Sequence, residues 1–384
     1  MNLVGGASTN SRAQRPLPPG VIRARTLSGE GPRERTEFTY ADGSRKIVDL
    51  LSWVGGQAGL LFAHGPFPDS IREHMIPTLH GSYGHVAEHA LADVLGEALD
   101  GVFSSESLSC RFFQSGGRAL DTAARIARYV TGRDHISSYG YHGCGDSYAH
   151  DPQSHGVPRE FIDLHWRFDW GDVSKMRECA KNCAAVVVEV PALDDDTIIR
   201  DFLVECRQAC YEFKSIFIID EVVTGWRFGV TGAAGRYKVK PDIATYGKAL
   251  SATGKISAVV GRADLVDTLS GPVFASETFG GSPDDCAVAS STVRWLMDHP
   301  ESFEHLSLIG ESLKRGYTEL GIRVIGQPER STFVFSTDSE WIGFCSRMIE
   351  LGIMVHRPNF ISLSHSMGDV DKTLEVAQKV LSNV

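Results

Sequence analysis

The 384-residue chain is 42% hydrophobic and 22% charged, with a formal net charge of −10. That is an ordinary globular composition, long enough for one large domain with a smaller appendage. The acidic balance works against broad nucleic-acid affinity, which needs a basic face, and the strongest apolar run, "AAVVVEVPAL", is interrupted by Glu189 and too short to cross a bilayer.

The opening "MNLVGGASTNSR" has no sustained apolar core, so it does not read as a signal peptide. The first thirty or so residues, rich in Gly, Pro, Ser and Arg, read as an arm with little packing of its own. A hairpin follows in "FTYADGSRKIVDLLSW", turning at Asp42-Gly43. Helical periodicity begins in "HVAEHALADVLGEALDGVF". From there the chain alternates: helix "ALDTAARIARYVTG", short strand "DHISSY", strand "AAVVVEV", helix "DFLVECRQACYEFK", strand "SIFIID". Apolar strands alternating with amphipathic helices predict an α/β fold, a mostly parallel sheet covered by helices on both faces. From "SPDDCAVASSTVRWLMDH" onward a smaller α+β domain is expected. The implied division is 1–45 for the arm and start of the small domain, 46–275 for the large domain and 276–384 for the rest of the small one. The eight cysteines are scattered without a CxxC pair, which reads as reduced thiols in a cytoplasmic protein.

The run Ile216–Ile219 ends on two adjacent acids, Asp220 and Glu221. A carboxylate withdrawn from water is costly unless paired, and ligands of a parallel sheet sit at the carboxyl ends of its strands. Asp220 therefore asks for a cationic partner. In "KPDIATYGKAL", Lys248 follows Gly247, 28 residues after Asp220; a single lysine is ordinarily a surface charge. In "FFQSGGRALDTAARIARYV", Ser115, Gly116 and Gly117 precede a helix, where small residues expose backbone N–H groups and the helix dipole favours phosphate. A plain turn capped by Ser115 explains the same residues. "SYGYHGCGDSY" sets Tyr141 and His142 beside glycine, and an aromatic there either packs or stacks on a planar ring. Together the four features describe one ligand, an aromatic aldehyde carrying a phosphate and a ring nitrogen. Lys248 would form an imine with it, Asp220 would face the pyridinium, and Ser115–Gly117 would hold the phosphate: the ligand is pyridoxal 5'-phosphate.

Other patterns have plainer explanations. His85 and His89 stand one helical turn apart, but no third ligand has a suggestive spacing, so no metal is expected. Cys206 and Cys210 share that spacing and read as packing. "GCGDSY" lacks the third glycine of a dinucleotide fingerprint, which removes the nicotinamide-oxidoreductase reading.

On these residues the chain resembles the class III aminotransferases of the fold-type I pyridoxal-phosphate enzymes, most closely their glutamate-1-semialdehyde aminomutase branch. "IIDEVVTGWRFG" and "KPDIATYGKAL" are similar to that branch's aspartate and lysine segments at the same spacing, and "SETFGGSPDDCAVA" resembles its Thr-x-x-Gly-Asn-Pro segment. "DGSRKIVDLLSW" and "HSMGDVDKTLEVAQKVL" match its amino-terminal hairpin and carboxy-terminal helix, so the likeness spans nearly the whole chain. It implies a homodimer with active sites shared between subunits, and amino-group transfer or aminomutation on a small amino acid or aminoaldehyde. It further implies that Tyr141 stacks on the ring, that His142, Glu189 and Val222 lie at the cofactor, and that Thr278 reaches the phosphate of the neighbouring subunit's cofactor. Trp53 would line the substrate pocket, and Arg23 in "GVIRAR" would bind a substrate carboxylate. A racemase, epimerase or decarboxylase would use the same lysine and aspartate, and a non-catalytic cofactor-binding homologue stays open.

Several positions depart from the family pattern. The phosphate loop ordinarily continues with Thr or Ser and then Glu, where this chain has Gly117 and Arg118. The missing hydroxyl removes one phosphate hydrogen bond, worth about 1–2 kcal/mol if nothing replaces it, and Arg118 reverses a charge beside the pocket. "SATGKISAVVG" stands in place of a glycine-rich run after the lysine, and Val190-Pro191 follows Glu189 where proline ordinarily comes directly.

Overall fold

Buried Glu34, Thr36 and Phe38 alternate with more exposed neighbours along Arg33–Tyr40, the two-residue period of a strand covered on one face. In the computed structural model this is β2, between β1 (Val21–Glu30) and β3 (Arg45–Ser52) in an antiparallel meander. The residues described are 16–30, 32–53, 61–62, 67–75, 83–148 and 156–382. The β2–β3 turn forms because Asp42 Oδ1 accepts the Ser44 N–H at 2.9 Å, with Gly43 in the left-handed region at φ 83°. The expected loose arm is corrected here: Val21–Glu30 is a ten-residue strand paired along its length with β2. Its edge position leaves Ile22 and Leu27 exposed, so no alternating pattern marks it in the sequence.

The chain divides into two compact units, Met1–Phe67 with Glu304–Val384, and Pro68–Phe303. Both cuts fall later than the expected 45/46 and 275/276. In the Pro68–Phe303 unit, α1 (Val86–Ala98) starts at His85, whose Nδ1 accepts the Ala87 N–H at 3.1 Å while Glu88 Oε1 accepts the His85 N–H at 2.8 Å. His85 is thus a helix cap. Then come β4 (Leu108–Phe113), α2 (Gly116–Thr131), β5 (Ile136–Tyr139), β6 (His165–Arg167), α3 (Val173–Asn182) and β7 (Ala185–Glu189). They are followed by α4 (Asp196–Phe213), β8 (Ile216–Glu221), α5 (Gly232–Arg236), β9 (Ile243–Tyr246), β10 (Ser257–Arg262) and α6 (Pro283–Asp298).

The seven strands are ordered β4-β10-β9-β8-β7-β5-β6. β9, β8, β7, β5 and β6 are parallel, and β10 runs antiparallel to both β9 and β4. β4 therefore points the same way as the parallel strands, and its carboxyl end lies on their carboxyl edge. β7 and the apolar part of β8 are continuous buried runs, as strands covered on both faces require. α6 belongs to this unit because it packs on α1, and Thr292 Oγ1 accepts the Ala252 N–H at 3.0 Å, a bond to the segment just after Lys248.

The other unit is completed by α7 (Glu301–Glu319), β11 (Val324–Ile325), β12 (Arg330–Phe333), α8 (Asp338–Glu350), β13 (Ile353–Met354), β14 (Pro358–Phe360) and α9 (Met367–Ser382). β13 joins β3 in parallel, with Ile353 opposite Leu51. Trp53 lies in this unit's core rather than on a surface. It is 0% exposed, its ring stacks on His365 at 4.1 Å, and its Nε1 donates to Thr373 Oγ1 at 2.9 Å. An indole so enclosed has no face left to line a pocket, so the expected substrate contact from Trp53 is corrected to a packing role. Among the described residues no helix is long and apolar enough to cross a membrane.

His365 gives this unit a pH dependence. Its Nδ1 accepts the Ser362 N–H at 2.9 Å and its Nε2 faces the Ser52 carbonyl at 3.0 Å, an arrangement that fits a neutral ring and no added proton. Burial pushes its pKa down from 6.5 to about 4. Between those values the unfolded chain binds a proton that the folded chain refuses. The contribution is therefore complete above pH 6.5 and falls by up to about 3 kcal/mol as pH drops toward 4. Thermal midpoints measured from pH 7 to 4.5 should fall more steeply for the natural chain than for His365→Gln; equal slopes would sink this assignment.

Candidate active site

The carboxyl edge of the large sheet collects the turns after β4, β5, β8 and β9. After β4, Ser115 caps α2, its Oγ accepting the Arg118 N–H at 3.4 Å. Alanines and Leu120, Ile126 form the buried face that holds the helix on the sheet. Gly116 is required by the approach of Val222, since a Cβ there would stand 2.8 Å from Val222 Cγ2. Val222 Cγ1 is also 3.5 Å from where a Cβ on Gly247 would lie, so this side chain sits between the Ser115–Gly117 turn and the turn carrying Lys248. Gly143 closes in from the third turn, with a Cβ position 3.1 Å from Gly117 Cα.

Asp220, the penultimate residue of β8, is in register with Glu189 of β7 on one side and Thr245 of β9 on the other. It is buried, and its Oδ1 accepts the Val222 N–H at 3.0 Å and the Thr245 hydroxyl at 3.4 Å. Its Oδ2 lies 2.8 Å from His142 Nδ1, whose other nitrogen, Nε2, is 3.0 Å from the Tyr139 carbonyl. A carbonyl only accepts, so Nε2 carries a proton. Both ring nitrogens of His142, expected at the cofactor, are engaged, one of them on Asp220, which the ring orients. Tyr141 is 74% exposed, and its N–H donates to Glu189 Oε2 at 3.0 Å.

Lys248 is half-buried and opens a short 3-10 turn with φ 44°, a left-handed conformation uncommon for a residue with a side chain. Strain of this kind collects at functional positions. Thr278 is exposed, and beside it Glu277 accepts the Gln114 N–H at 2.8 Å and Arg118 Nε at 3.1 Å. Sequence reading missed Glu277 because its partners are some 160 residues away. Arg23, exposed on β1, and Trp53 both belong to the Met1–Phe67 unit.

The second acid, Glu221, has a separate role. Successive strand residues face opposite sides, so Asp220 and Glu221 cannot serve one ligand; that rule was the available signal. Glu221 is 0% exposed and accepts the Ala233 and Ala234 N–H groups at 3.0 and 2.8 Å and the Thr224 hydroxyl. Burial pushes its pKa up, against the pull of these bonds. Gly232, at φ 61°, leaves room for it, because a Cβ would lie 2.6 Å from Glu221 Oε2. Gly232→Ala should therefore destabilise by about 1–3 kcal/mol, read as a lower denaturation midpoint; an unchanged midpoint would show that the loop relaxes freely.

The family model for aminotransferase class-III matches residues 171–334. Glutamate-1-semialdehyde 2,1-aminomutase of Haloquadratum walsbyi is 30% identical, with 82% of this chain and 71% of that protein covered. The chain belongs to the class III aminotransferase family. A second aminomutase, from Lachnoclostridium phytofermentans, is 27% identical over 96% of both chains. Among solved structures, a transaminase with PLP bound has a TM-score of 0.81 at 20% identity, covering 99% of this chain and 94% of that one, which matches the fold. The protein is thus a fold-type I, pyridoxal-phosphate-dependent enzyme of amino-group chemistry. Its residues fit that cofactor. A half-buried lysine, a buried acid with its partners fixed, and a helix start where a Cβ would strike Val222 stand on adjacent turns of one sheet edge.

Proposed function

We propose that this class III aminotransferase moves an amino group on a small amino acid or aminoaldehyde, with Lys248 as the reacting base and Asp220 as the partner of the cofactor's ring nitrogen. The observation that carries the reading is that Lys248 and Asp220 leave adjacent parallel strands, β9 and β8, at the same edge, with Val222 of the β8 turn lying between the Ser115–Gly117 turn and the turn carrying Lys248. When bound, pyridoxal phosphate supplies an electron sink for the carbon that loses its proton. Lys248 Nζ is the amine that tethers the cofactor's aldehyde, and the base that takes the proton from the substrate's amino-bearing carbon and returns it elsewhere. The Asp220 carboxylate keeps the ring nitrogen protonated, and His142 holds that carboxylate in place. Ser115, Gly116 and Gly117 bind the phosphate at the start of α2. Tyr141 covers the ring, and Glu189 fixes the Tyr141 backbone.

Exposed Thr278, flanked by exposed Phe279 and near exposed Phe274, supports a homodimer in which this hydroxyl reaches the second copy's phosphate. Eight free cysteines, most of them buried, support a reducing, cytoplasmic setting. The relatives' names favour aminomutation. Incubating the cofactor-loaded protein with glutamate 1-semialdehyde alone, and with donor–acceptor pairs, tests it by product chromatography. Isomer without a second carbonyl compound marks an aminomutase, and transfer only with both partners marks an aminotransferase. Solvent deuterium entering the amino carbon without transfer, or release of carbon dioxide, would replace the reading by racemisation or decarboxylation.

A further inference from the structure

We propose that Arg118 is a positioning residue for the cofactor phosphate, acting by neutralising Glu277. This rests on the reading of Ser115–Gly117 as the phosphate cradle. The two flanks of that cradle are strapped by one carboxylate. Glu277 Oε2 accepts the N–H of Gln114, the residue before the cap, at 2.8 Å, and Glu277 Oε1 takes Arg118 Nε, in the first turn of α2, at 3.1 Å. The Glu277 side chain is 16% exposed and that of Arg118 54%.

The strap sets a conflict. A carboxylate near a helix N-terminus is favourable to the helix dipole, but a phosphate dianion seeks the same field and the same N–H groups. An uncompensated Glu277 would repel the phosphate it helps to frame. Arg118 removes that repulsion while leaving the Gln114 bond intact. The positive charge that departs from the family pattern at position 118 is thereby accounted for: it answers an acid that arrives from a distant segment.

The test measures binding of two ligands, pyridoxal 5'-phosphate and pyridoxal, to the full cofactor-stripped chain by absorbance titration. Arg118→Gln is expected to weaken the phosphorylated ligand about tenfold, the scale of one unit-charge repulsion across a partly solvated gap. Pyridoxal, which has no phosphate, should bind as before. Arg118→Lys should keep most of the affinity, and Arg118→Gln with Glu277→Gln should recover most of it. A pair whose arginine is half exposed contributes little to folding, so the thermal midpoint of cofactor-free Arg118→Gln should stay close to that of the natural chain. The inference is overturned if Arg118→Gln binds pyridoxal phosphate within twofold of the natural chain, if pyridoxal loses affinity equally, or if the double variant is no better than the single. Should the natural chain bind both ligands equally, the cradle assignment itself fails, and this inference with it.

Discussion

Lys248→Ala is expected to lower amino-group turnover by a thousandfold or more, about the scale of one positioned base, while the protein still folds. The side chain stands at the end of β9, on a turn where Gly247 approaches Ser257 so closely that a Cβ would lie 2.8 Å from its Oγ. The backbone at Lys248, with φ 44°, is in a conformation in which a Cβ is crowded. Lys248→Gly should therefore gain about 1 kcal/mol of stability as it loses activity, whereas Lys248→Ala, which keeps the Cβ, should gain little. A fold that holds a residue in a costly conformation is one in which that residue's position matters more than its stability. Turnover and thermal midpoint are measured on both variants. Lys248→Ala turning over within tenfold of the natural enzyme would remove Lys248 from the chemistry.

How much of this was legible beforehand depended on the range of the signal. β7 and β8 announce themselves because a doubly covered strand must be a continuous apolar run, and Asp220 stands out because a charge ends such a run. Lys248 is visible through the glycine before it and its spacing from the acid. Glu277 was not visible, since a carboxylate that straps Gln114 and Arg118 is recognised only when the chain is folded. His142 could be placed near the site but its bond to Asp220 could not, because the two residues lie 78 positions apart in the chain. β1 escaped notice because an edge strand needs no buried face, and α6 was assigned to the wrong unit because its periodicity is the same whichever partner it packs on. Trp53 shows the limit of residue-by-residue likeness: the position matched a family segment, while its surroundings, His365 and Thr373, make it core.

Asp220→Asn is expected to lower turnover by about a hundredfold to a thousandfold, the scale of losing one fixed electrostatic partner, with little change in the thermal midpoint. The reason lies in the partners. Oδ1 accepts from the Val222 N–H and the Thr245 hydroxyl, and an asparagine oxygen can do the same. The other side faces His142 Nδ1 at 2.8 Å, which donates to the carboxylate; the asparagine amide can donate in its place once the ring gives up the Nδ1 proton and keeps the Nε2 proton on the Tyr139 carbonyl. Every hydrogen bond at this buried position survives, so no unpaired polar group is left to destabilise the fold. What disappears is the carboxylate's negative charge, together with the Nδ1 proton that faced it, and with that charge goes the means of keeping a ring nitrogen protonated. Asp220→Ala would confuse the two effects, because it leaves His142 Nδ1, the Val222 N–H and the Thr245 hydroxyl without this acceptor. The pair of variants therefore separates charge from structure: Asn should lose turnover alone, Ala both turnover and several degrees of thermal midpoint. If Asp220→Asn retains turnover within tenfold, this acid does not hold the ring nitrogen, and its burial near the end of β8 serves only its bonds to His142, Val222 and Thr245.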